Sequence, residues 1–150
     1  MAHLLVIELP GGNDGDILSA AIMRGDRFSF IAANLTHYQC QSALNELLSA
    51  AERLIEIDLD DHLVVDETLI SIHQNDPFDA VLCLLDLRLR DAARISSLFG
   101  LPHISFDVAC LLRDKFSVRE KLADHLIKQP DFRLALSNDD LKVAVQEIGL

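Results

Sequence analysis

The stretch HLLVIELPGGNDGDILSAAIMRGDRFSFIAA, residues 3 to 33, decides the fold. Its first seven residues form an apolar run, HLLVIEL (3–9), and its last six form another, FSFIAA (28–33). Between them lie a glycine-rich turn and a helical segment from Asp16, a natural N-cap, to Arg24, with Gly25 placed to end it. A strand, a helix and a second strand in about thirty residues form a βαβ unit, in which the crossover helix returns the chain so that the strands run parallel. Because both runs are apolar throughout, both faces of the sheet should be covered.

The alternation continues outward from this unit. Further strands are expected at RLIEI (53–57), AVLCLL (80–85) and PHISF (102–106), separated by helices over 38–51, 67–74 and 89–99. In the last of these helices Leu89, Ala92, Ile95 and Phe99 recur at three- and four-residue spacing before Gly100. The expected fold class is therefore α/β, a Rossmann-like three-layer domain on a mainly parallel five-stranded sheet. Past residue 106 the alternation stops. Residues 107–127 read as helical throughout, and 130–150 as one short extended segment and a final helix capped by Ser137 or Asn138.

Half of the 150 residues are hydrophobic, enough for a substantial core and too many for a disordered chain. The formal net charge of −11 argues against nucleic acid and anionic membrane surfaces as partners. The amino terminus reads as neither a signal peptide nor a membrane anchor, and no uncharged run approaches the length of a membrane span, so a soluble cytoplasmic protein is expected. Three cysteines at 40, 83 and 110 do not suggest a disulfide framework. The histidines are scattered apart from one H-x-x-C at His37 and Cys40, so no structural metal is expected.

In a parallel sheet, ligands gather beyond the carboxyl ends of the strands. The first such loop has glycines at 11, 12 and 15, which is not the G-x-G-x-x-G spacing of a dinucleotide site; they make either a tight strand-to-helix turn, the favoured reading, or a phosphate cradle. Asp86, Arg88 and Arg90 follow the fourth strand, where they either start a solvated helix or meet a polar group of a substrate. A phospho-acceptor receiver would need a Lys directly after the fifth strand, where this chain has Asp107 and Val108. Arg113, Lys115, Arg119 and Lys121 gather four of the 13 basic residues within nine positions. If Asp114 caps a helix, Lys115 occupies a first turn whose dipole favours an anion, so it either reaches into water or shares an external phosphate with the exposed amides.

The run DAVLCLLDLRLRDAARISSLFGLPHISFDVACLLRDKFSVREKL (79–122) resembles the end of the N-terminal domain of ATP-grasp ligases. The elements that carry the likeness are a strand, a helix rich in small residues, G-L-P, a short strand, and a helix pair bearing D-K with a basic residue four positions on. The similarity extends less sharply to the whole of 1–150 and is nearest to the carboxylate-amine ligase and biotin-carboxylase types.

Several expectations follow from the resemblance. The leading domain (1–112) would be joined to the first strand and helix of an ATP-binding region (113–150) that is continued by further polypeptide. The complete enzyme would use ATP and Mg to activate a carboxylate as an acyl phosphate, which an amine or other nucleophile then attacks. Lys115 and Arg119 would contact ATP phosphates, and the 10–16 and 86–90 loops, with Gly11, Gly12, Asp86 and Arg88, would face the substrate. Small carboxylates and amines, and the rest of the ATP-grasp region, would be its partners, and a homodimer is compatible. The 1–150 piece would contain no catalytic residue and be inactive alone. The alternative is a free-standing Rossmann-like or receiver-like binding module.

Overall fold

The computed structural model describes residues 1–8 and 15–149, which form two compact units, Met1–Phe106 and Asp107–Leu150. In the first unit four strands build one fully parallel sheet: β1 (His3–Ile7), β2 (Arg27–Ala32), β3 (Arg53–Glu56) and β4 (Ala80–Leu82), in the order β3-β2-β1-β4. The register pairs His3 with Arg27 and Ile7 with Ile31 across β1 and β2, Ser29 with Arg53 across β2 and β3, and Leu4 with Ala80 across β1 and β4.

Pleating sends alternate residues to opposite faces. Val6, Phe28, Phe30 and Ala32 pack on one side with Leu18 and Ala21 of α1 (Asp16–Arg24), Tyr38 of α2 (Leu35–Gln39) and Leu44 and Leu48 of α3 (Ser42–Leu48). Leu5, Ile7 and Ile31 pack on the other with Val65 and Leu69 of α4 (His62–Asn75) and Ile95 of α5 (Leu89–Leu98). These layers cover both faces, as the uninterrupted apolar runs imply.

Among the described residues the sheet has four strands where five were expected. Residues 102–105 form no ladder, and Phe106 already opens α6 (Phe106–Leu112). Pro102 offers no backbone donor, and the His103 ring bonds locally to the Leu101 carbonyl at 2.7 Å.

The helix expected over 38–51 is divided at Cys40 and Gln41. Tyr38 and Leu44 are six positions apart, which would put them about 120° apart around one continuous helix, so the break is what lets both reach the same core. Asn34 caps α2, accepting from the His37 amide at 3.2 Å. Helix α4 begins five residues before the expected start because Asp61 caps it through the Val64 amide, while exposed Leu63 and Val64 hide the periodicity of its first turn. At α1, Gly15 rather than Asp16 is the N-cap, and Gly25 ends the helix in the left-handed conformation at φ 72°.

The second unit, with the end of α6, contains α7 (Lys115–Asp124) and α8 (Asn138–Ile148). The continuous helix expected from 107 to 127 stops after Leu112, because Asp114 turns extended (φ −108°, ψ 99°) and caps a new helix. Ser137 caps α8, accepting from the Asp140 amide at 3.1 Å. Between these helices, residues 128–136 join no sheet among the described residues. Among the described residues no helix is long and apolar enough to cross a membrane.

Candidate functional site

The strand order places a topological switch between β1 and β4: the chain moves from β1 through β2 to β3, then crosses back to the other side of β1. Beyond the carboxyl ends of two such neighbours lies the crevice in which open α/β sheets bind ligands. Glu8 leaves β1 here with a left-handed φ of 38°, a conformation that a non-glycine residue rarely adopts. Its carboxylate accepts from the Ala33 amide at 3.0 Å and from Arg88 Nε at 3.0 Å, so an ion pair spans the switch point.

Arg88 is the hub of this rim. Its Nη1 donates to Asp60 at 2.7 Å and lies 3.4 Å from Asp91, which His62 approaches at 3.5 Å. Burial opposes the charge on Arg88, but the hydrogen bonds to Asp60 and Glu8 outweigh it and hold the guanidinium above its ordinary pKa. The same bond keeps Asp60 below the usual carboxylate range. Together with Arg90, Arg94, Leu87 and Phe106, these residues line a cleft of about 380 Å³.

The opposite ends of the strands are tied differently. His3, Arg27 and Arg53 each begin a strand, and Asp76 accepts from Arg27 Nη2 at 2.8 Å and from Arg53 Nη1 at 2.7 Å. Those two hydrogen bonds, Arg27 first, hold the Asp76 carboxyl well below its usual range. Buried His3 shares a 2.9 Å contact with Ser29 Oγ, and burial pushes its pKa down. This end is a structural anchor, remote from the strand tips where ligands gather.

In the second unit, Lys115 is the first residue of α7 and Arg119 lies one turn along it. Asp114 Oδ1 accepts from the amides of Phe116 at 3.0 Å and Ser117 at 3.2 Å, and its Oδ2 accepts from Ser117 Oγ at 2.7 Å. These bonds, the Ser117 hydroxyl foremost, hold the Asp114 carboxyl below its ordinary range. The Arg119 guanidinium sits 5.6 Å over the Phe132 ring, which meets Phe116 edge-on at 5.7 Å. Gln129 also donates to the Arg119 carbonyl at 2.6 Å. Lys115, Arg119, Arg133, Phe116 and Phe132 line a groove of about 360 Å³. Two helical cations and two aromatic faces suit a ligand carrying phosphates and a flat ring.

The residues expected from sequence therefore separate. Lys115 and Arg119 come together in one groove. Arg88 sits at the switch point, compensated by three carboxylates, while exposed Asp86 starts a single 3₁₀ turn (Asp86–Arg88) after β4. Gly11 and Gly12 lie outside the described residues. The receiver alternative loses the fifth strand whose end would carry its Lys. Among the described residues no three His, Cys, Asp or Glu side chains come together as a group that could hold a metal ion. Sequence reasoning missed Glu8, Asp60 and Asp91. Glu8 signals itself as an acid interrupting an apolar run, and Asp91 as an acid three residues on from Arg88, but Asp60 carries no local pattern. It also missed Phe132, the only aromatic in 126–150.

No family model and no curated protein matches the chain. Solved structures do. An L-amino acid ligase from Bacillus licheniformis aligns with a TM-score of 0.72 at 18% identity, over 99% of this chain and 41% of that one. The N5-carboxyaminoimidazole synthetase of Staphylococcus aureus, solved with ADP, gives 0.63 at 17% identity, over 97% and 35%. The biotin carboxylase subunit of a pyruvate carboxylase gives 0.58 at 17% identity, over 100% and 34%. The chain thus spans between 34% and 41% of the length of these three proteins. In fold, the chain is similar to a portion of each of these three enzymes.

Proposed function

We propose that the chain forms the N-terminal part of an ATP-dependent carboxylate-amine ligase, with residues 1–112 as the leading domain and 113–150 as the start of the ATP-binding region. The observation that carries this reading is the groove on α7, where Lys115 and Arg119 stand beside the Phe116 and Phe132 rings. Lys115 donates to the phosphates of ATP, and Arg119, steadied over Phe132, supplies the second positive charge. ATP with magnesium provides the phosphoryl group that activates a carboxylate as an acyl phosphate, which an amine then attacks. The metal-holding acids come from polypeptide outside residues 1–150, so the chain alone binds without turnover. The rim at Asp86 and Arg88 faces the small-molecule substrates.

Hydroxylamine trapping tests this reading. A complete polypeptide containing the chain, given Mg-ATP and a panel of amino acids and other carboxylates, should form a hydroxamate with stoichiometric phosphate release. Neither product should appear with residues 1–150 alone. Absence of hydroxamate across the panel, with ATP hydrolysis equal with and without carboxylate, refutes the ligase reading.

A further inference from the structure

At the β1–β4 switch point, Arg88 is held by three carboxylates that differ in one respect. Glu8 and Asp91 are inner partners, with side chains 12% and 13% exposed, whereas the Asp60 side chain is 82% exposed. Asp60 reaches Arg88 from the solvent side on the loop before α4. Arg90 lines the same cleft and is exposed. Arg94 gives one nitrogen, Nη1, to Asp66, and its buried Nε and Nη2 have no hydrogen-bond partner among the described residues. Leu87 and Phe106, 57% and 47% exposed, add an apolar lip to this basic wall.

We propose that this cleft binds a monocarboxylate with an apolar tail, whose carboxylate takes the place of Asp60 on Arg88. The inference rests on the substrate-facing reading of the rim and names the ligand class. With Asp60 turned away, Arg88 and Arg90 balance Glu8 and Asp91, and Arg94 balances Asp66. A monoanion then restores the charge that Asp60 gave, while a dianion such as phosphate adds a surplus negative charge beside two fixed carboxylates. Shape agrees, since a planar carboxylate replaces a planar carboxylate on the guanidinium edge. The apolar tail lies against Leu87 and Phe106, and Asp60 serves as an internal competitor that keeps the guanidinium paired while the cleft is empty of ligand.

The test is an amide-resolved NMR titration of the chain, without ATP, using isovalerate, isovaleramide and inorganic phosphate. Isovalerate should shift the amides of 60–62 and 87–91 saturably, and isovaleramide should not. Asp60→Asn, at an exposed position that leaves the fold intact, should tighten isovalerate binding by about threefold or more by removing the competitor. Arg90→Ala should weaken it by roughly tenfold through loss of a positive charge that offsets Glu8 and Asp91 in the cleft. The inference is overturned if isovaleramide binds as well, if phosphate binds more tightly at the same amides, or if Asp60→Asn leaves affinity unchanged or lowers it. A complete ligase that forms hydroxamate while these titrations fail overturns this inference alone. Isovalerate binding without any hydroxamate overturns the ligase reading alone.

Discussion

Replacing Lys115 with alanine should separate ligand binding from stability. In the free chain the ammonium occupies the first turn of α7, where the helix dipole disfavours a cation. Removing it should therefore stabilise α7 slightly, by about 0.3 kcal/mol, or leave it unchanged. With ATP present, the substitution removes a charged hydrogen bond to phosphate worth about 1.5–3 kcal/mol, so the dissociation constant should rise about ten- to hundredfold. Asp114→Ala should do the reverse. It removes the acceptor for two amides and a hydroxyl, which costs about 1 kcal/mol of stability, whereas Asp114→Asn keeps the cap at almost no cost. Calorimetric titration with ATP and thermal melting of all three variants provide the assay. If Lys115→Ala leaves ATP affinity unchanged, or loses affinity only in step with melting temperature, the phosphate role of this side chain is refuted.

Acid should destabilise the chain in two stages. His3 has a lowered folded pKa, so its contribution is complete above its unfolded value of about 6.5 and is lost as pH falls from there toward the folded value. Asp76 also has a lowered folded pKa, so its contribution holds above about 3.9 and disappears as pH falls toward the folded value. Urea midpoints measured across this range should decline at both stages, and His3→Gln should flatten the first; a flat profile from neutral to strong acid contradicts the anchor. Gly25→Ala should cost about 1 kcal/mol in denaturant unfolding, because φ 72° strains any residue with a Cβ; no loss would contradict the cap. Ile31→Ala, which empties a fully buried site beneath α4 and α5, should cost about 2–5 kcal/mol, while Leu126→Ala, at 94% exposure, should cost almost nothing in the same experiment.

The layered α/β architecture was legible because every buried strand announces itself as an apolar run and Gly25 and Gly100 punctuate the helices that follow. What periodicity could not supply was phase. Tyr38 and Leu44 each look helical, but that they share one core face across a break depends on the sheet beneath them. PHISF has strand-like composition, yet a strand exists only where an edge accepts it, and no window of sequence contains that condition. In the α7 groove, Lys115 and Arg119 stood out by charge density, whereas Phe132 joins them from residues that follow the helix. At the switch point, Arg88 was visible with Asp91 three residues on, but its partners Glu8 and Asp60 come from distant positions and meet it only through the fold.

The contrast between the two ends of the sheet has a practical consequence. At the strand starts, His3, Arg27 and Arg53 converge on one aspartate, so alignment of the frame is secured far from any ligand. The connections leaving the opposite tips are thereby released from the task of holding the strands in line. A division of labour of this kind lets the loops at the strand tips change their chemistry while the scaffold keeps its tolerance for error.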